Sequence, residues 1–146
     1  MTAGDDGSDA PPRPAGLALV FAAMVYDGLL TLAILFLATA LALVATGGEA
    51  IPPGTVIYNV YLVLAAFPYF AWCWVRGGRT LGMRAWKLRL RRSDGGLPGL
   101  RHAALRYAAA LVSLAALGLG FLWMLVDPQR LSWHDRLSGT RVLRER

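Results

Sequence analysis

A single acidic side chain, Asp27, lies within the otherwise uncharged run of residues 16–46. A carboxylate in the hydrocarbon core of a bilayer costs about 2.5–3.5 kcal/mol on insertion scales, so it normally faces a protein partner, a cavity or a proton pathway. The chemistry open to such a group is the reversible binding of a proton or a cation. A second acid, Asp135, follows His134 near the C-terminus and is a candidate for the same chemistry, with His134 as a charge partner.

Neither acid belongs to a recognisable enzyme site. The sequence presents no pattern of nucleophile and general base, and the glycines of residues 77–82 match neither the Walker spacing nor GxGxxG. The single Cys73 excludes an internal disulfide, and with His102 and His134 it gives no metal-ligand spacing. We therefore predict that the chain is not an enzyme and needs neither a metal nor another cofactor.

The elements that position these acids are predicted to be membrane helices. Hydrophobic residues make up 56% of only 146 residues, more than a soluble domain of this size can bury. Three apolar stretches, residues 17–45, 56–75 and 107–126, each approach or exceed the roughly 20 residues of a spanning helix. We predict an all-α integral membrane domain over residues 16–146, preceded by a disordered acidic leader at residues 1–15.

Charge asymmetry predicts the orientation of this domain. Residues 76–106 contain nine cations and one anion, whereas the connection at residues 47–55 contains only Glu49. By the positive-inside rule, the basic connection and the N-terminus are cytoplasmic. The cations flanking the membrane segments are expected to contact anionic lipid headgroups, and we predict no nucleic-acid partner.

The third apolar stretch admits two interpretations. If residues 107–126 span the bilayer, the C-terminal segment with its five arginines and three acids lies outside; if they re-enter, it stays in the cytoplasm. Gly118 and Gly120 would permit a bend, but small residues at helical spacing also favour close packing of a spanning helix. We favour the packed helix. The seam consists of Arg106, Ala109, Ser113, Ala116 and Gly120.

The first stretch carries a similar small-residue face. Ala23, Asp27, Thr31 and Ala38 fall on one side at helical spacing, while larger apolar residues lie mostly elsewhere. We therefore expect Asp27 to face protein rather than lipid.

The basic connection contains a strand pattern. Residues 87–91 alternate polar and apolar side chains, and residues 93–96 supply turn formers. The connection could thus contain a short β-hairpin, and residues 140–143 are a candidate partner strand. Pairing with residues 140–143 would keep the C-terminal segment in the cytoplasm and require the re-entrant arrangement.

Several ordered motifs resemble the RDD family of small bacterial membrane proteins. They are GGRTLGMRAWKLRLRRSDGG at 77–96, LRY at 105–107, GLGFLWMLVD at 118–127, WHDRLSGT at 133–140 and the Tyr-Asp pair at 26 and 27. The resemblance extends over nearly the whole chain from Pro14 and implies a multi-pass protein of the bacterial inner membrane. It also matches Asp27 and Asp135 to the two aspartates of the family name.

The family's arginine has no counterpart at the expected place. It usually lies about seven residues before the first aspartate, where this chain has Leu19 and Val20. Arg13 is fourteen residues from Asp27, about 21 Å along a helix, too far to replace it. We hypothesise that Arg106 or Arg84 takes its place beside Asp27.

Transport is the activity that the resemblance implies, and for some members this is cation/proton antiport. Asp27 would then hold a proton and a cation alternately, with Asp135 near the cytoplasmic mouth. Three segments are few for a transport path, so we expect a homo-oligomer or a larger membrane partner. The alternative is a non-transporting membrane scaffold or assembly partner in which Asp27 is structural.

Overall fold

The computed structural model describes residues 12–145, in which helices predominate and a small sheet is present. The elements in chain order are β1 (Arg13–Pro14), α1 (Leu17–Ala45), α2 (Val56–Gly77), α3 (Leu81–Ala85), β2 (Leu88–Arg92), α4 (Leu100–Ala115), α5 (Leu119–Leu122), a 3₁₀ turn (Trp123–Leu125), α6 (Trp133–Ser138) and β3 (Thr140–Arg144). Of the predicted leader, residues 1–11 lie outside the described part of the chain. Its last residues include β1, and Ala15 is buried in the core.

Two helices are long and apolar enough to cross a membrane. The 29 residues of α1 extend about 43 Å and the 22 residues of α2 about 33 Å, against a hydrocarbon core of about 30 Å. The helix α2 continues through Pro68 and ends at Gly78, whose left-handed conformation (φ 65°) closes the last turn. The first two predicted membrane segments are confirmed as helices of this length and composition.

A three-stranded antiparallel sheet has the order β1-β3-β2. In it β2 pairs with β3 from Leu88↔Arg144 to Arg92↔Thr140, and β1 adds the short pair Arg13↔Arg144 and Pro14↔Leu143. Leu88 and Leu90 are completely buried, so the apolar face of β2 packs on the core, as the alternating pattern of the basic connection predicts. The predicted strand and its distant partner are confirmed.

The third apolar segment is bent and is not one continuous packed helix. The segments 100–115 and 119–125 meet at 105°. The break lies at Leu117 and Gly118, which both have left-handed backbone conformations (φ 59° and 78°), and the amide of Gly118 donates to the Ser113 carbonyl at 2.8 Å. Because β2 and β3 pair, the chain between them starts and ends beside the same sheet, as the re-entrant alternative requires.

The bend brings two residues of the small-residue seam into contact. Ser113 is fully buried, and a Cβ on Gly120 would overlap its side chain. These two residues meet because α5 folds back on α4. Helical spacing alone cannot distinguish a continuous helix from a helix folded on itself.

Single cysteines in a Cys73→Ser background test this topology. Cysteines at Arg91 and Arg141, which are paired in the sheet, should react with a membrane-impermeant thiol reagent from one side of sealed vesicles, and a cysteine at Glu49 from the other side. Opposite sidedness of positions 91 and 141 would contradict the re-entrant arrangement.

Candidate functional site

Asp27 lies on the protein-facing side of α1. Its exposed fraction is 7%, and Ala23, one turn earlier, is 3% exposed. On the lipid-facing side of the same helix, Leu29 is 65% exposed. Asp27 therefore faces protein, as expected.

Three neutral donors bind the Asp27 carboxylate. The Tyr69 hydroxyl of α2 donates to Oδ1 at 3.1 Å, and the Gly82 amide of α3 donates to the same oxygen at 2.9 Å. The Thr80 hydroxyl donates to Oδ2. Asp27 thus connects α1 to α2 and to the segment that follows α2.

Backbone amides determine the direction in which the Tyr69 and Thr80 hydroxyl protons point. Thr80 is the N-cap of α3, and its oxygen accepts from the Met83 amide at 3.2 Å. The Tyr69 oxygen accepts from the Leu81 amide, also at 3.2 Å. Because each oxygen accepts a backbone N–H, its own proton is free to point at Asp27. The environment of Asp27 therefore consists of donors.

Gly82 permits the close approach of α3 to α1. A Cβ at this position would lie 2.9 Å from the Asp27 carboxyl carbon and closer still to the Ala23 carbonyl oxygen. No side chain fits between these groups, so the amide of residue 82 reaches the carboxylate only when the residue is glycine.

The second aspartate belongs to a separate buried ion pair. Asp135 accepts from the Arg106 guanidinium of α4, and their side chains are 3% and 5% exposed. Arg106 also donates to the Thr140 hydroxyl at 3.1 Å. Asp135 closes a capping box with Ser132 at the start of α6, accepting from the Ser132 amide at 3.0 Å. This network fixes α4, α6 and β3 together.

Two groups of this network have lowered pKa values. Burial raises the pKa of Asp135, but the Arg106 charge and the hydrogen bonds outweigh it and leave the pKa below the usual value. Burial and then the Arg106 charge lower the pKa of His134 to about 3. His134 is therefore neutral at physiological pH, packed against Phe121 with ring centroids 4.4 Å apart.

The structure corrects our hypothesis on the missing arginine. Arg106 binds Asp135 and not Asp27, and Arg84 is exposed and forms no ion pair among the described residues. Val20, at the position seven residues before Asp27, is buried in the core. Within residues 12–145, Asp27 therefore has hydrogen-bond donors but no cationic partner.

A cavity of about 570 Å³ lies beside Asp27, walled mainly by α1 and α4. Phe70 and Trp74 of α2 and His134 of α6 also contribute to the wall, and the Arg106 guanidinium lies over the Trp74 ring, 5.4 Å from its centroid. The lining is predominantly apolar. Several lining residues are more than half exposed, so the cavity is open to the surroundings of the helices: Val25, Leu29, Leu32 and Leu114.

The profile described as RDD family matches residues 15–139, which is nearly the whole chain. The chain belongs to the RDD family. Searches of curated proteins and of solved structures find no match.

The RDD match contains both aspartates and the arginine of the buried pair. Asp27, Arg106 and Asp135 all lie within residues 15–139, whereas most of β3 lies beyond them. In this RDD protein the arginine that forms a buried ion pair with an aspartate is Arg106 of α4, far along the chain from α1.

Three residues around Asp27 were not predicted as site residues from the sequence. Tyr69 and Thr80 were not singled out, and Gly82 was considered only within a glycine cluster that matches no phosphate-binding loop. A usable local signal was Thr80 before Leu81-Gly-Met83, since threonine is a preferred N-cap. The pairing of this cap with Asp27 is a tertiary contact that no local pattern encodes.

Gly82→Ala should destabilise the protein by about 1–3 kcal/mol, because the added methyl overlaps the backbone of α1 and the Asp27 carboxylate. Gly28→Ala is the matched control, since a Cβ there meets nothing within 4 Å. Thermal unfolding in detergent measures both. Equal unfolding temperatures would contradict the close approach of α3 to α1.

Acidification should destabilise the protein through His134. The pKa of His134 in the folded protein is about 3, below the ordinary histidine pKa of 6.5, so the unfolded chain binds more protons between these pH values. Stability is full above about pH 6.5 and falls with decreasing pH by up to about 1.4 kcal/mol per unit. Between pH 6.5 and 5 the lowered carboxyl pKa of Asp135 adds little, since an unfolded aspartate titrates near 3.9.

Thermal unfolding of wild type and His134→Gln across pH 6.5 to 5 measures this effect. The variant should lose most of the pH dependence, and His102→Gln, which retains His134, should keep it. Parallel curves for wild type and His134→Gln would count against a buried neutral histidine.

Proposed function

We propose that this RDD protein exchanges a proton for a monovalent cation across the membrane, with Asp27 as the group that holds each in turn. The contrast between Asp27 and Asp135 carries this proposal. Among the described residues, Asp135 has its charge balanced by Arg106, whereas Asp27 has three neutral donors and no cation beside it. Of the two, only Asp27 is left with a negative charge for a mobile cation to balance.

Physical chemistry supports this role for Asp27. Hydrogen bonds satisfy the oxygens of a buried carboxylate but do not cancel its charge, and low dielectric makes an unbalanced charge expensive. Binding a proton or a cation removes that cost. Intramembrane acids without a fixed partner are accordingly typical of proton and ion pathways.

The proposed orientation places the sheet in the cytoplasm. With the third segment re-entrant, the basic connection and the C-terminal strand lie on one side of the bilayer and Glu49 lies on the other, in agreement with the positive-inside rule. The N-terminus is then cytoplasmic, and the membrane is the bacterial inner membrane. Exposed cations such as Arg84, Lys87 and Arg101 are available to anionic headgroups on that side.

A path across the bilayer requires more than one copy or a partner. In this re-entrant arrangement only α1 and α2 of the described residues cross, and two helices cannot enclose a polar route between them. The outward faces of both helices are apolar and exposed, for example Phe36 at 79% and Ile57 at 82%. We propose that a homo-oligomer, or a larger membrane protein, covers part of this surface.

A scaffold function is the second candidate, favoured by the same three donors. Tyr69, Thr80 and Gly82 fix α1 to α2 and α3 through one carboxylate, which is the arrangement expected of a structural anchor. In this case Asp27 stabilises the fold, the protein assembles with a membrane partner, and no ion moves.

Vesicles loaded with a pH-sensitive dye distinguish the two candidates. With a pH gradient imposed, sodium, potassium, lithium and triethanolammonium chlorides are added in turn. At least one should dissipate the gradient about tenfold faster than in empty vesicles, and Asp27→Asn should return the rate to background, since removing a charged group's interaction costs about 1.5–3 kcal/mol.

Glu49→Gln is the control, because Glu49 is an exposed acid in the connection between α1 and α2 and should not affect the flux. Equal flux from wild type and Asp27→Asn, or no flux with any of the four cations, would exclude exchange at Asp27. Copurification of a stable partner whose binding survives Asp27→Asn, without flux, would support the scaffold.

A further inference from the structure

We infer that the cation held at Asp27 is a lipophilic organic ammonium with one N–H, its apolar body lying in the cavity between α1 and α4. This deepens the proposed function and rests on it, since it names the class of cation that Asp27 binds. Three observations carry the inference: the acceptor positions left on the carboxylate, the donors around it, and the cavity beside it.

The carboxylate has room for about one more donor. An ionised carboxylate offers about four acceptor positions. Tyr69 and Gly82 use two on Oδ1, and Thr80 uses one on Oδ2. A ligand that balances the charge and supplies one N–H completes the set, which describes a tertiary ammonium.

The surroundings of Asp27 suit an N–H donor better than a bare metal ion. Hard cations require several oxygen ligands with free lone pairs. Around Asp27 the neighbouring groups present hydrogens, because both hydroxyls already accept backbone amides and the third group is itself an amide. No group of three or more His, Cys, Asp or Glu side chains suited to a metal lies within the described residues.

The cavity suits the apolar part of such a ligand. Its volume of about 570 Å³ is within the range of about 300–1,000 Å³ for small-molecule sites. Aromatic rings attract cations through their faces and pack against hydrocarbon. Four aromatic residues line the wall: Phe70, Trp74, Tyr107 and Phe121.

The net charge of the cavity wall and the position of the cavity opening favour a cation that arrives from the lipid. Arg106 also lines the cavity, but Asp135 balances it, so the net charge at the wall is that of Asp27. The opening lies between exposed apolar residues of α1 and α4, including Leu32 at 63% and Leu114 at 66%. A molecule that partitions into the bilayer reaches this opening directly.

Equilibrium binding to the full chain in lipid nanodiscs tests the inference. The probe is tritiated N,N-dimethyl-4-phenylbutylamine, measured by scintillation proximity at pH 7. We expect saturable binding, with displacement by the unlabelled amine and about tenfold weaker displacement by its quaternary N-methyl analogue, which lacks the N–H. 4-Phenylbutanol, which lacks the charge, should also compete about tenfold more weakly.

Two variants locate the probe. Asp27→Asn should weaken binding about tenfold or more. Ala110→Phe fills the cavity without contacting the hydrogen bonds of Asp27, so it should weaken binding even if Asp27→Asn fails to fold, and Ala108→Phe, exposed on the same helix and outside the cavity, should bind as wild type.

Equal competition by the tertiary and quaternary ammonium ions would overturn the requirement for an N–H, and wild-type affinity in Ala110→Phe would overturn the assignment to the cavity. Non-saturable uptake equal to that of empty nanodiscs would show partition into lipid alone and overturn both. Because no gradient is present, these failures are distinguishable from a failure of exchange: flux without amine binding would retain Asp27 as carrier and remove only the ligand class.

Discussion

The buried carboxylate of Asp27 is the constraint on which the arrangement of α1, α2 and α3 depends. Removing a carboxylate from water without hydrogen bonds costs several kcal/mol, so the fold must bring donors to it. Tyr69 supplies one from α2, and Thr80 and Gly82 supply two from the segment after it. All three donors reach the Asp27 carboxylate at only one register of α1 against α2. Asp27 therefore fixes a register that apolar side chains alone would not define.

Strand pairing imposes the second constraint. Because β2 and β3 are antiparallel neighbours, the chain between them must return to the sheet, and α4 and α5 form a bent pair. The Arg106 and Asp135 pair reinforces this return, since it joins α4 to α6 just before β3 begins. The sheet and the ion pair together hold the two ends of the bent segment close to each other.

The features predicted correctly were those that local patterns encode. The length of the apolar stretches predicted α1 and α2, and the alternation of polar and apolar side chains predicted β2. The helical spacing of small residues predicted that Asp27 faces protein. The features that failed or were missed depend on distant contacts. Leu117 adopts a left-handed conformation that its residue type disfavours, so the bend had only glycine as a hint. Packing between elements far apart in sequence determines that Arg106 pairs with Asp135. The same holds for Thr80 and Gly82, which donate to Asp27.

Asp27 and Asp135 differ in what a change of their charge would cost, because their partners differ. Changing the charge of Asp135 would leave Arg106 buried and unpaired, a cost of about 3–5 kcal/mol, so that site is suited to holding structure and not to cycling. Changing the charge of Asp27 strands no opposite charge among the described residues, because its three partners are neutral. An arginine seven residues before Asp27 would place a fixed cation near the carboxylate, but this chain has the buried Val20 there. Within residues 12–145 the charge of Asp27 is therefore met by hydrogen bonds alone.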